Sequence, residues 1–259
     1  MKRTTTHVFA LAAVSLIILA CGDDNDYGGG DDGSSSSAVI DPGDGGDYSV
    51  EIDPADFTTV VDNEFFPLVP GTKWVYEETV QDETEINTTE VLDETRMVMG
   101  VETVVVHDVV ATEDGEVLED TYDWYAQDAS GNVWYFGEDT TAYEDGAESK
   151  EGSWEAGVDG ALPGIVMYAD PKVSDTGYRQ EYLAGTAEDM GQVLELGVAV
   201  STPYGDFDDT VRTRDWTPIE PDVVEQKTYA RGIGFVHEEM VEGPDKGATA
   251  VLVDYTPGG

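Results

Sequence analysis

Residues 120–140, DTYDWYAQDASGNVWYFGEDT, decide how this chain folds. Rings and carboxylates crowd the stretch, and Asp128-Ala-Ser-Gly131-Asn132 interrupts it. Gly131 can take the left-handed conformation of a bulged hairpin loop, so the stretch reads as two antiparallel strands. Successive side chains of a strand point to opposite faces. Tyr122 and Trp124 therefore share one face of the first strand, and Asp123 and Tyr125 share the other. Trp134 and Phe136 oppose Tyr135 on the second strand. A hairpin with one plain wet face has no need of rings on both sides, which makes this one a candidate wall of a concave surface.

The neighbouring sequence extends the pattern. Val101–Ala111 is too rich in β-branched residues to be a good helix. Asp114-Gly115 follows it, a strong short-range hairpin signal, so 101–137 reads as a three-stranded meander. Lys73–Val80 (KWVYEETV) alternates, with Trp74, Tyr76 and Val80 on one face and Glu78 interrupting that face. Further strands are predicted near 178–183, 210–216, 223–229, 234–241 and 248–255. Asp53-Pro54 suits a short helical turn, with Asp as cap and Pro in the first turn. Ala187–Leu196 is the one longer helix expected, weakened by Gly191. The fold class is mainly β: a strongly curved antiparallel sheet or open half-barrel with a few short helices, in a single domain over residues 50–259.

Before that domain the chain reads as an address and a tether. Lys2 and Arg3 precede the apolar run Val8–Leu19, which is short for a membrane span and suits an export signal over residues 1–20. Ile18-Leu19-Ala20-Cys21 resembles the bacterial lipobox, with Leu19 standing where a smaller residue is commoner. The resemblance implies cleavage between Ala20 and Cys21 and acylation of Cys21 with palmitate-type chains. Cys21 is the single cysteine among 259 residues, so the domain has no disulfide to rely on. Several acyl chains anchor durably where one is marginal. Gly22, in place of Asp, points to the outer membrane if the host is Gram-negative. Residues 21–49 are rich in Gly, Ser and Asp and lack Lys and Arg, so they read as a disordered tether reaching about 30 Å. The predicted location is the cell envelope, with the domain facing the periplasm or the exterior.

Several motifs resemble those of an uncharacterised group of bacterial secreted lipoproteins. Asn63-Glu-Phe-Phe-Pro67-Leu-Val-Pro-Gly71-Thr-Lys-Trp74-Val-Tyr76 looks like that group's N-x-x-F-P-L-x-P-G-x-x-W-x-Y opening. DTYDWYAQD…GNVWYFGED, EGSWEAGVDGALPGI and YRQEY resemble the same group. Lys227-Thr-Tyr229-Ala-Arg-Gly232-Ile-Gly234-Phe-Val236 resembles a strand pair of half-barrel envelope lipoproteins of the LolA type. These resemblances imply a curved sheet with a concave face, and they carry no catalytic or ligand residues.

Charge narrows the partners. With 12 basic and 56 acidic residues the formal net charge is −44, which repels nucleic acid and anionic membrane surfaces. Such a charge suits solubility in salt, and clustered carboxylates also suit hard cations, which leaves Ca²⁺ open as a cofactor. His107 and His237 are weak metal candidates, since zinc requires both to converge with a carboxylate. The motif of a serine nucleophile is absent and the single thiol lies in the lipobox, so the chain leans away from enzymes, with a metal-assisted or carboxylate hydrolase third in order. Trp74, Trp124, Trp134 and Trp154 are candidate pocket walls, and equally ordinary core. Arg212 and Arg214 share a strand face, where they either offset neighbouring acid or receive an anionic group. Two readings lead: a tethered binding module for a hydrophobic or amphiphilic ligand, and a structural or interaction lipoprotein of the envelope.

Overall fold

The computed structural model describes residues 48–81, 83–144 and 146–259. The export signal over 1–20, the Ala20–Cys21 cleavage, Cys21 lipidation and the tether as far as residue 47 lie outside the described residues. Tyr48, counted with the tether by composition, is already docked: its hydroxyl donates to the Pro163 carbonyl at 2.7 Å.

A one-turn 3-10 helix at Pro54–Asp56 opens the domain, with the Asp53 carboxylate accepting from the Ala55 amide at 3.0 Å. β1 (Phe57–Thr58) follows, and then comes a long meander. Its strands are β2 (Lys73–Val80), β3 (Glu83–Val98), β4 (Val101–Thr112), β5 (Val117–Asp128) and β6 (Val133–Glu144). β7 (Ala147–Ser149), β8 (Trp154–Glu155) and β9 (Leu162–Met167) all pair with β6. After them come β10 (Tyr178–Arg179), β11 (Glu181–Tyr182) and β12 (Met190–Leu196). A small separate hairpin, β13 (Val200–Ser201) with β14 (Asp206–Phe207), precedes a second meander. That meander is β15 (Thr210–Trp216), β16 (Val224–Ala230), β17 (Gly234–Glu242) and β18 (Thr249–Thr256).

Pairing is antiparallel throughout, in the order β10-β12-β15-β16-β17-β18-β2-β3-β4-β5-β6-β9-β11. The two terminal strands of that order are one piece of chain, joined through Gln180. Residues 178–182 thus pair with β12 along one edge and β9 along the other, bringing the sheet close to a closed barrel. The expected curvature is present, and the opening expected of a half-barrel is spanned by this segment. Closure demands a close approach at Gly164, where a Cβ would stand 2.3 Å from the Gln180 carbonyl carbon.

The expected helix at 187–196 is not formed. Met190–Leu196 is β12, paired with β15 from Met190↔Trp216 to Leu196↔Val211. Gly191 weakens a helix, and its place against Tyr178 leaves no room for a side chain: a Cβ would lie 2.7 Å from that ring. Tertiary pairing therefore overrides the local helical pattern.

Two apolar layers meet across the 117–144 hairpin. Inside the barrel, Tyr125 stacks on Tyr135 with centroids 4.9 Å apart. Outside, Phe57 sets its edge against Trp134 and Phe136 at 6.0 and 5.4 Å, so β1 covers the second layer. Rings on both faces belong to one continuous apolar cluster that wraps the hairpin.

Candidate functional site

The segment between β1 and β2 plugs one end of the barrel. Asn63 holds it: the side-chain amide donates to the carbonyls of Gly131 and Tyr168 at 3.0 and 3.1 Å and accepts from the amides of Phe65 and Phe66 at 2.9 and 3.1 Å. Phe66 then points inward, its ring 5.5 Å from Tyr125 and 6.1 Å from Tyr229. From β2 the Trp74 indole donates to the Ile233 carbonyl at 2.8 Å, and the Tyr76 hydroxyl to the Phe235 carbonyl at 3.2 Å. The two motif-bearing stretches, 63–76 and 227–236, are therefore one constellation in space. Asn63→Ala removes four hydrogen bonds at a buried position and is expected to cost about 2–4 kcal/mol. Thermal unfolding checks this: the midpoint should fall by roughly 5–12 °C for a domain of this size.

Beneath the plug lies a cavity of ≈ 80 Å³. Phe66, Leu68, Trp74, Tyr125 and Tyr229 give its lining an apolar share, and Gln180, Glu181, Asp189, Asp215 and Lys227 a polar one. Four of the motif stretches contribute: the plug with β2, Tyr125 of the 120–140 hairpin, Gln180 and Glu181 of YRQEY, and Lys227 and Tyr229 of β16.

The polar share of the lining belongs to an unusual interior. Strand alternation carries carboxylates inward on strand after strand: Glu78 opposite Glu85, Asp123 opposite Glu138, and Asp215 opposite Glu225. Glu78, Asp108, Glu119, Asp123, Glu181 and Asp215 are all at most 2% exposed. Lys227, also buried, meets Asp215 and Glu225 at 3.7 Å and Glu238 at 3.6 Å. Carboxylates held out of water favour the neutral form, and neighbouring carboxylates push the same way. Burial raises Glu119 to about 8, with Asp108 adding to the rise and the Thr121 hydroxyl opposing it. Burial likewise raises Glu238 to about 8 and Glu85 to about 7. Asp108 stops at about 6, because the Thr89 hydroxyl and the Asn87 amide bond to it at 2.7 and 2.9 Å. Burial holds Glu78, Asp123, Glu181 and Asp189 well above the carboxylate range.

Among the six proposed wall residues, Trp74 lines this cavity. Trp124 lies on the outer face, buried beneath the Arg96 guanidinium at 3.8 Å from its ring. Trp134 is also outside, where its N–H donates to Asp128 at 2.9 Å and fastens the 128–132 turn. Trp154 comes in from β8 and sets its ring on the edge of Tyr135 at 5.3 Å. Gly137 permits that crossing, since φ is +130° and a Cβ would sit 2.4 Å from the Trp154 carbonyl oxygen. Arg212 and Arg214 alternate with the inward Thr213 and Asp215 and so stand on the outer wall. Arg212 lies 3.5 Å from Glu195, and Arg214 lies 4.5 Å over Trp216.

The histidines do not converge. His107 stacks on Tyr122 at 4.3 Å and lies 3.1 Å from Asp120. His237 is on β17, four strand steps from β4, or roughly 19 Å along the sheet. A site drawing on both is excluded by that spacing. Among the described residues, no group of three or more His, Cys, Asp or Glu side chains has a metal-holding arrangement.

Fold and site together define a plugged, nearly closed antiparallel barrel with an acidic interior. No protein-family model matches the chain, and no curated protein matches it. Two solved structures are similar to it. One, described as an exported protein with a YmcC-like fold from Bacteroides fragilis, is 17% identical, covering 74% of this chain and 99% of that one at a TM-score of 0.45. The other, described as a lipoprotein from Parabacteroides distasonis, is 13% identical, covering 75% of this chain and 99% of that one at a TM-score of 0.44. Neither likeness carries site chemistry across.

Proposed function

We propose that the chain is an exported lipoprotein, anchored in the cell envelope through Cys21, whose barrel is a binding module for a small amphiphilic ligand. The observation that carries the binding reading is a cavity lined by both aromatic rings and buried carboxylates. Its size limits the ligand. Sites for drug-sized molecules run to about 300–1,000 Å³, so an acyl lipid does not fit the ≈ 80 Å³ present beneath a closed plug. The same smallness favours the second reading, a structural or interaction lipoprotein with a filled core.

Native mass spectrometry of the full-length chain, purified from membranes in detergent, separates the two. A small molecule retained through the barrel and lost on organic extraction supports the module. A bare chain that also binds no added amphiphile supports the filled core. The anchor has its own test: the chain should incorporate labelled palmitate and Cys21→Ala should not, and labelling that survives the substitution refutes the anchor.

A further inference from the structure

Among the three carboxylates that line the cavity, Glu181 and Asp189 stand outside the ion pairs of Lys227. Lys227 takes Asp215, Glu225 and Glu238 as its ion pairs within 4 Å, and these two carboxylates are not among them. Both line the cavity, at 1% and 5% exposure. Glu181 Oε2 and Asp189 Oδ2 make no hydrogen bond of ordinary geometry, although the Trp154 indole and the Thr217 hydroxyl lie near enough to favour the ionised forms. A buried oxygen left in that state is costly, and it marks a place for a water, an ion or a ligand group. The Gln180 amide bonds to the Asp189 carbonyl at 2.8 Å, which ties the closing segment to the chain entering β12 and sets both carboxylates at one end of the chamber.

The rest of the lining tells what kind of group fits. Ca²⁺ takes six to eight oxygen ligands, and no such cluster exists among the described residues. Aromatic faces attract organic cations, and Phe66, Trp74, Tyr125 and Tyr229 supply them opposite the acid. A water-sized centre needs about 10–15 Å³, so the chamber takes roughly five to eight non-hydrogen atoms.

We infer that the chamber binds a small organic ammonium ion, its charged head between Glu181 and Asp189 and its alkyl part against the rings below the plug. This deepens the binding-module reading and rests on it. Burial pushes both carboxyls up, with Asp189 raising Glu181 further, and outweighs Lys227, which favours the ionised forms of both, so an ammonium head adds a second positive charge beside them.

The test uses the full-length chain in detergent near pH 8, with calorimetry and thermal unfolding against n-butylammonium, choline, n-butanol and CaCl₂ at matched ionic strength. The ammonium ions should bind and raise the midpoint by several degrees, and n-butanol, equal in size and neutral, should not. Glu181→Gln with Asp189→Asn should keep the fold, since the amides match the neutral carboxyls in size and polarity, and weaken ammonium binding roughly tenfold or more. Equal responses to butanol and butylammonium overturn the inference, as do unchanged binding in the double variant and a response to CaCl₂ alone. Recovery of a neutral or anionic amphiphile overturns the ammonium class and leaves the module standing. Failure of every probe, with nothing co-purified, removes both.

Discussion

Lys227→Met is expected to unfold the domain near pH 8, or to lower its thermal midpoint by at least about 10 °C. Lys227 is buried with three carboxylates, Asp215, Glu225 and Glu238, at 3.6 to 3.7 Å. Burial alone disfavours its charge, yet Glu238, Glu225 and Asp215 together hold the ammonium well above its ordinary range. Removing one partner of a buried ion cluster costs about 3–5 kcal/mol, because the remaining charges stay uncompensated. Whole-domain stability is about 5–15 kcal/mol, so the loss is a large fraction of it. Replacing the cluster as a unit has a different outcome. Lys227→Met combined with Glu225→Gln and Glu238→Gln should recover most of the midpoint, since buried charge is then largely gone. A single variant as stable as the parent would sink the account.

The second large effect is on pH. Glu119 and Glu238 are raised to about 8, Glu85 to about 7 and Asp108 to about 6. In each case the folded state keeps a proton that the unfolded chain releases at lower pH. The stability these groups contribute is therefore fully present below about pH 4.5 and is lost as pH rises through 6 to 8. Glu119 alone, carried from its ordinary value to about 8, corresponds to a loss on the order of 5 kcal/mol between about pH 4.5 and pH 8. Thermal melts between about pH 5 and pH 8.5 should show the midpoint falling by about 10 °C or more. Glu119→Gln should flatten the upper part of that slope. A midpoint that is level or rises over the same range contradicts the interior charge as described.

The strands were legible where ordinary pattern rules hold. The Val-rich β4, the Asp114-Gly115 turn and the 128–132 loop stand where alternation and turn chemistry place them. β3 was not visible, because Glu83–Val98 is half acidic and polar and shows no apolar face. β12 was misread because Met190–Leu196 has apolar residues at helix-compatible spacing, and only its pairing with β15 decides the matter. The chamber was harder still. Aspartate and glutamate on a strand normally mark the wet face, so an inner face carrying Glu78, Asp108, Asp123 and Asp215 contradicts the rule used to find it. One trace of it was present: Glu78 sits on the same face as Trp74, Tyr76 and Val80, a polar residue in an apolar row. Lys227 and Glu181 lay inside quoted motifs, but nothing local shows that strands so far apart in the chain face one another.

The pairing of β2 with β18 ties residues 73–80 to residues 249–256. A chain that emerges from a ribosome or a translocation pore amino end first must wait for β18, the last of the described strands, before β2 has its second neighbour. Until then the β2 edge is open, and the acids destined for the interior remain in water, where they repel one another and delay collapse. Contacts spanning so much of the chain slow folding. Under the proposed export of this chain that slowness is an advantage: the barrel assembles only after the whole domain has crossed.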